Sequence, residues 1–302
     1  MNAYLCDDQK HIALANSSFK NTLLRDDFTI RCGGKLLDLS QPRVMGIINV
    51  TEDSFFADSR SRALADVVSK ASRHLLEGAA ILDIGAQSTR PGATKVGADQ
   101  EMERLLPAIT AILKAHPEAI ISIDTFYASV AACCVKAGAA IINDISAGDL
   151  DEAMIPTVGA LRVPYIAMHM QGSPDTMQQH PHYENVVQEV LDYFIQKLAV
   201  CKQAGMEDVI VDPGFGFGKT IAHNYTLLRH LAAFRILEAP LLAGVSRKSM
   251  IYKVLGNTAS DALNGTTVIH SMALERGARL LRVHDVKAAM EAVTLYHTLA
   301  TA

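Results

Sequence analysis

Pro117-Glu-Ala-Ile120-Ile-Ser-Ile-Asp124, then a helix-compatible stretch, then Gly138-Ala-Ala-Ile141-Ile-Asn-Asp144: two short apolar runs, each closing on a carboxylate. Runs this short suit strands buried on both faces, and two such strands lying parallel need a crossover helix between them. The pattern extends in both directions from Pro42 to the C-terminus. Eight runs occur, Val44–Val50, Ala80–Ile84, Ile120–Asp124, Ile141–Asp144, Tyr165–His169, Val209–Asp212, Leu241–Val245 and Leu280–His284, alternating with amphipathic stretches. A proline (Pro42, Pro117, Pro164, Pro240) precedes each odd-numbered run, and a helix-ending glycine (Gly78, Gly138, Gly205, Gly277) precedes each even-numbered one. The chain thus reads as four (βα)2 units whose eight strands close a TIM (β/α)8 barrel. A doubly wound open sheet is the alternative α/β architecture, and it gives no reason for this periodicity.

Ahead of the barrel, Phe28-Thr-Ile-Arg-Cys-Gly-Gly-Lys-Leu-Leu-Asp-Leu39 reads as a short β-hairpin turning at Gly33-Gly34. Its place before the first strand predicts a plug at the barrel bottom. Residues 28–302 form the single barrel domain, and residues 1–27, polar and weakly periodic, are an extension with no assigned role.

With 49% hydrophobic residues, 20% charged residues and a net charge of −4, the 302-residue chain is of ordinary globular composition. It carries no electrostatic footprint for nucleic acid or a membrane surface, so small molecules are the expected partners. Five cysteines without CxxC or CxxH spacing imply neither a disulfide framework nor a zinc site. Reduced thiols, no export signal and no apolar stretch near the ~20 residues of a span point to the cytoplasm.

In this fold the reactive groups collect at the C-terminal ends of the strands. Here those ends are Asn49, Asp83, Asp124, Asn143-Asp144, His169, Asp212, Ser246-Arg247-Lys248 and Arg282 with His284. Any one of them suits a helix cap or a hydrogen-bond anchor, because capping favours Asp and Asn. Together, brought to one face, they describe a site. Carboxylates and amides beside a lysine suit a ligand edge with alternating donors and acceptors, and Arg282, His284 and Ser88-Thr89-Arg90 suit phosphate oxygens. No nucleophile–base pair stands out, so positioning and electrostatic stabilisation are expected rather than covalent catalysis. Pro213-Gly-Phe-Gly-Phe-Gly-Lys-Thr220 imitates a P-loop, but proline replaces its first glycine and Asp212 would sit against phosphate. Its glycines fit a backbone passing close to a flat ligand, with Phe215 or Phe217 available to contact it.

Met45-Gly-Ile-Ile-Asn-Val-Thr51 with Asp53-Ser-Phe55, Ser88-Thr-Arg-Pro-Gly92, Ile142-Asn-Asp-Ile145, Met168-His-Met-Gln-Gly172, Asp212-Pro-Gly-Phe-Gly-Phe-Gly-Lys219, Ser246-Arg-Lys-Ser-Met250 and Arg282-Val-His-Asp-Val286 resemble, in order, the motifs of the dihydropteroate synthases. The resemblance runs from about Leu37 to the C-terminus. It implies condensation of 6-hydroxymethyl-7,8-dihydropterin pyrophosphate with p-aminobenzoate, a Mg2+ requirement, a homodimer and inhibition by sulfonamides. Carried over by motif, Asp124, Asn143, Asp212, Lys248 and Arg282 would bind the pterin. Asn49, Thr89, Arg90, Arg282 and His284 would hold the pyrophosphate, with Asn49 on the metal. Thr89, Pro91, Phe217, Ser246 and Lys248 would meet p-aminobenzoate, with Phe55 nearby. Lys248, Arg282, His284 and Asp124 would carry the catalysis.

Two loops depart from the commonest pattern of that family. Thr-Pro-Asp-Ser-Phe-Ser-Asp-Gly-Gly becomes Thr51-Glu-Asp-Ser-Phe-Phe-Ala-Asp-Ser59, placing Glu52 and Ala57 at altered positions with Asp58 one residue beyond. Gly-Gly-Glu-Ser-Thr-Arg becomes Gly85-Ala-Gln-Ser-Thr-Arg90, so Gln87 replaces a carboxylate. Loops drift more than the elements they join. The functional alternatives are a non-catalytic pterin-binding paralogue and a pterin-binding methyltransferase module acting with a corrinoid partner. Arg90, Arg282 and His284 argue against the first, and the joint presence of Ser88-Thr-Arg90 and Ser246-Arg-Lys248 against the second.

Overall fold

In the computed structural model, which describes residues 27–50, 60–87, 96–173 and 176–302, Gly33 (φ 56°) and Gly34 (φ 83°) turn the chain between strands β1 (Thr29–Cys32) and β2 (Lys35–Asp38). Positive φ at both central residues is the requirement of a two-residue hairpin turn, and only glycine meets it without strain. The ladder pairs Cys32 with Lys35 and Thr29 with Asp38. Except for Asp27, the proposed extension lies outside the described residues.

Eight strands follow: β3 (Arg43–Asn49), β4 (Ile81–Gly85), β5 (Ile121–Asp124), β6 (Ile141–Asp144), β7 (Tyr165–Met168), β8 (Val209–Asp212), β9 (Leu241–Ala243) and β10 (Ala278–Val283). They pair in parallel in chain order, and β10 closes on β3 with Leu281 opposite Val44. Closure excludes the open sheet. The helices are α1 (Arg60–Leu76), α2 (Ala98–Ala115), α3 (Ala128–Lys136), α4 (Met154–Leu161), α5 (Val186–Gln203), α6 (Ile221–Arg229), α7 (Ser249–Leu255), α8 (Leu263–Glu275) and α9 (Val286–Thr301). Strand limits coincide with the apolar runs at β6 and β8 and elsewhere differ by one or two residues, as at Leu241–Ala243, where the chain leaves the ladder before the apolar character ends.

Alternation along each strand decides what faces the lumen. Met45, Ile81, Ile141, Ile166, Ile210, Leu242 and Leu280 form one cluster with Ile30, Cys32, Leu37 and Leu39 of the hairpin. That cluster is the barrel floor, and the hairpin seals it. Residues of the opposite parity, among them Val44, Leu82, Ile123, Ile142, Tyr165, Val211 and Leu281, pack outward against Leu105 and Ile109 of α2, Phe194 of α5 and Ala289 of α9. α5 buries Val186, Val190 and Phe194, the stripe its spacing predicts. Two residues above the floor, the same parity points Asp83 and Asn143 into the lumen. Asn49, Asp124, Asp212 and Arg282 follow it at the upper rim.

Candidate active site at the C-terminal mouth of the barrel

Arg282, on β10, organises one side of the mouth. Its Nε donates to Asp83 Oδ2 at 2.6 Å and its Nη2 to Asp124 Oδ2 at 2.6 Å. The same Asp83 oxygen accepts from Asn143 Nδ2 at 3.2 Å. Asp83 is fully buried, whereas 16% of the Asp124 side chain and 21% of Arg282 reach solvent, so the outer pair can meet a ligand and the inner carboxylate cannot. Burial pushes the Asp124 carboxyl up to about 7; Arg282 opposes this and Asp83 reinforces it. Burial alone would lower the Arg282 pKa, but Asp83 and Asp124 outweigh it and hold the guanidinium above its ordinary range.

Asp212 and Lys248 form the opposite side. Asp212 Oδ1 accepts the Gly214 N–H at 2.8 Å, and Lys248 Nζ donates to the Phe215 carbonyl at 2.6 Å. Burial raises the Asp212 pKa against the pull of Lys248, and burial lowers Lys248 to about 8 against that of Asp212. Phe215 is wholly buried in the core, so Phe217, half-buried with Lys248 Nζ 4.7 Å from its ring centroid, is the phenylalanine at the mouth. Phe126, Ile145 and Met168, with Met170 and Phe217 against them, supply an apolar wall. Phe217 is expected at the site from the sequence; Phe126 and Ile145 are not legible as site features, because each alone reads as core.

The P-loop imitation has a different job. Lys219 is buried, its Nζ bonded to the carbonyls of Phe217 (2.9 Å), Gly214 (3.0 Å) and His169 (3.3 Å) and to His169 Nδ1 (2.9 Å). Burial, then the Lys219 charge, pulls His169 down to about 3, leaving a neutral ring whose Nδ1 accepts. The loop is stapled to the β7 end, with its lysine turned inward. Gly214 (φ 71°) is required there, since a Cβ would stand 1.9 Å from the His169 carbonyl oxygen.

Two strand ends do not join the site. His169 belongs to that staple. Asp144 has outward parity; its Oδ1 accepts from Ser146 N and Oγ, and its Oδ2 from Gly148 N and Tyr165 Oη, all within 2.8 Å. Asp144 is thus a hydrogen-bond anchor of the turn after β6 and not a helix cap, α4 beginning only at Met154, while its neighbour Asn143 faces the lumen.

Around the rim, Ser246 Oγ accepts the His284 N–H at 3.2 Å. Arg247, at φ 55°, clamps Asp285 with two bonds of 2.7 and 3.0 Å. The loops after β9 and β10 are thereby tied together, which carries Lys248 and His284 toward the mouth. Asn49 is exposed at the end of β3. Although the His284 side chain reaches solvent, desolvation at the rim and the Arg282 charge lower it to about 4, so it is neutral near pH 7. Thr89, Arg90 and Pro91 lie outside the described residues, as do Glu52, Phe55, Ala57 and Asp58.

A closed eight-stranded barrel whose mouth joins a guanidinium and two carboxylates to a lysine–aspartate pair is built for a polar heterocycle beside an anion. Residues 45–284 match the family described as "Pterin binding enzyme", and the chain belongs to it. Within that family it is one of the dihydropteroate synthases. The dihydropteroate synthase of Escherichia coli (strain K12) is 44% identical over 262 residues, covering 86% of this chain and 92% of that protein. The solved structure of Xanthomonas albilineans dihydropteroate synthase with 4-aminobenzoic acid is 39% identical at a TM-score of 0.84, covering 91% of this chain and 98% of that one. A structure from the same organism in complex with 7,8-dihydropteroate is 36% identical at a TM-score of 0.81, covering 91% and 100%.

Proposed function

We propose that the mouth binds 6-hydroxymethyl-7,8-dihydropterin pyrophosphate and p-aminobenzoate and joins them as 7,8-dihydropteroate with release of pyrophosphate. The observation that carries the assignment of roles is the convergence of Asp124, Asn143, Asp212, Lys248 and Arg282 on one lumen from five strands and their loops. Asp124 and Asp212 accept from the pterin's amino and ring N–H groups, and Asn143 and Lys248 donate to its acceptors. Arg282, His284, Asn49, Thr89 and Arg90 bind the pyrophosphate; Thr89, Pro91, Phe217, Ser246 and Lys248 meet p-aminobenzoate.

The reaction breaks the bond from the pterin methylene to the pyrophosphate oxygen and forms one to the aniline nitrogen, which then loses a proton. Positive charge developing at the methylene is stabilised by buried carboxylates, and negative charge on the leaving group by Arg282. No trio of His, Cys, Asp or Glu that could hold a metal occurs among the described residues. A lone amide oxygen at Asn49 nevertheless fits Mg2+, which takes most of its ligands from substrate phosphates and water. Bound there, Mg2+ supplies charge neutralisation at the leaving group.

Sulfonamides, which mimic p-aminobenzoate, are expected to compete for its place. The functional form is a homodimer, supported by an apolar outer face on which α8 and α9 expose Val268, Met272, Leu295 and Leu299. A cytoplasmic location accords with the four described cysteines all being free. No helix among the described residues is long and apolar enough to cross a membrane.

The test is dihydropteroate formation from both substrates with Mg2+, repeated with Lys248→Ala and without metal. Magnesium-dependent product that is lost with Lys248 is expected. Pterin binding without product would sink the synthase reading and leave a non-catalytic pterin-binding paralogue.

A further inference from the structure

Gln87, the amide that replaces the carboxylate of the commoner pattern, is fully engaged. Its Nε2 donates to the Val96 carbonyl at 2.7 Å and to Glu101 Oε2 at 2.8 Å, and its Oε1 accepts the Val96 N–H at 3.0 Å. Val96 and Gln87 flank segment 88–95 in sequence, so one side chain holds both flanks together. Glu101, the other partner, lies on α2 and is wholly buried.

The contacts continue toward the site. Tyr127 Oη donates to the Val96 carbonyl and the Tyr127 N–H to Thr125 Oγ1, each at 3.2 Å. Thr125 follows Asp124 directly, and its hydroxyl favours the ionised form of Glu101. Arg104, also on α2, donates to the Ala86 carbonyl at 3.2 Å. Gly85, two residues before Gln87, packs so closely on β5 that a Cβ there would stand 3.2 Å from that of Asp124.

We infer that Gln87, with Glu101, is a positioning residue that locks the exit of β4 to the exit of β5 and so holds Asp124 in register for the condensation. The inference rests on the function proposed above. Only an amide can make all three Gln87 contacts at every pH, since two need a donor and one an acceptor. A glutamate at position 87 could accept from Val96, but it could donate only when protonated. Facing the Glu101 carboxylate, the two acids would have to share a proton. The charged and titratable groups around Glu101 are Arg104 on α2, Asp124 at the end of β5, and Tyr127 and Cys134 beyond it. Arg104 favours ionised Glu101, and Asp124 disfavours a second charge beside it. The lock of a Gln87→Glu variant therefore opens as pH rises, whereas that of the native chain does not.

The experiment compares native protein, Gln87→Glu and Gln87→Ala in steady-state dihydropteroate synthesis from about pH 6 to 9, with thermal melting of each. Gln87→Glu should approach native kcat/KM at the acidic end and fall ~10-fold or more relative to it at the alkaline end, a loss equivalent to about one strong hydrogen bond. Gln87→Ala should be reduced by a ratio that does not vary with pH. A role confined to stability would move the melting temperatures and leave the variant-to-native activity ratio flat across pH. That flat ratio for Gln87→Glu overturns the inference even if Gln87→Ala does not fold. Absence of product from the native chain would instead overturn the functional reading and this inference with it.

Discussion

Replacing Asp83 with asparagine tests whether the inner carboxylate sets up the pterin side of the mouth. The side chain is fully buried, and a single oxygen accepts from Arg282 at 2.6 Å and from Asn143 at 3.2 Å. Asparagine keeps the shape and can turn its carbonyl oxygen to both donors, but it removes the charge and leaves an amide NH2 buried where Asp83 Oδ1 has no hydrogen-bond partner. Breaking a buried ion pair costs roughly 3–5 kcal/mol. Arg282 keeps Asp124 and is partly solvated, so about 2–3 kcal/mol is the share expected to reach the transition state, or roughly a 30- to 150-fold loss in kcat/KM. The loss should appear in the KM for the pterin substrate and in kcat, leaving the KM for p-aminobenzoate little changed, because Asp83 acts through two pterin-facing groups. Asp83 also helps to raise Asp124, so the acid limb of the pH profile should move to lower pH. The assay is steady-state kinetics with each substrate varied, on protein whose melting curve confirms folding. A folded variant with kcat/KM within about threefold of native would refute the reasoning.

Three further outcomes follow from the geometry. The pterin-dependent kcat/KM should be bell-shaped, because Asp124 gains a proton below about 7 and Lys248 loses one above about 8; Lys248→Arg should carry the alkaline limb upward, and a profile that falls off neither below the first value nor above the second would count against the assignment. Lys219→Met should strip the carbonyls of Gly214 and Phe217 of their donor, destabilising the fold by about 3 kcal/mol and weakening pterin binding, as calorimetry would register. Gly214→Ala should be worse than an ordinary loop substitution, since the new methyl would occupy the space of the His169 carbonyl oxygen. A drop in melting temperature of under about 3 °C would show the loop freer than its contacts imply.

The eight strands were legible because each is a continuous apolar run, yet that same continuity hides the phase of the strand. In Ile141-Ile-Asn-Asp144 both faces are buried, so the local pattern cannot tell which polar residue faces the lumen. The register Asp124 opposite Asn143 decides it, and that register comes from barrel closure. Asn143 therefore enters the site while Asp144 anchors its own loop. His169 and Lys219 raised the same difficulty: a histidine at a strand end and a lysine after glycines invite a catalytic reading, and their mutual contact across fifty residues removes both. Gln87 shows the converse. As a departure from a familiar pattern it reads as lost charge at a substrate loop, but its meaning depends on Glu101, whose burial on α2 no linear spacing reveals. A carboxylate replaced beside a buried carboxylate is a different substitution from one replaced in water, because the first removes the need for a shared proton and the second removes only a solvated charge. The altered loop is thus better read as a change in how β4 is fastened to β5 than as the decay of a synthase, and the pH dependence of Gln87→Glu separates the two.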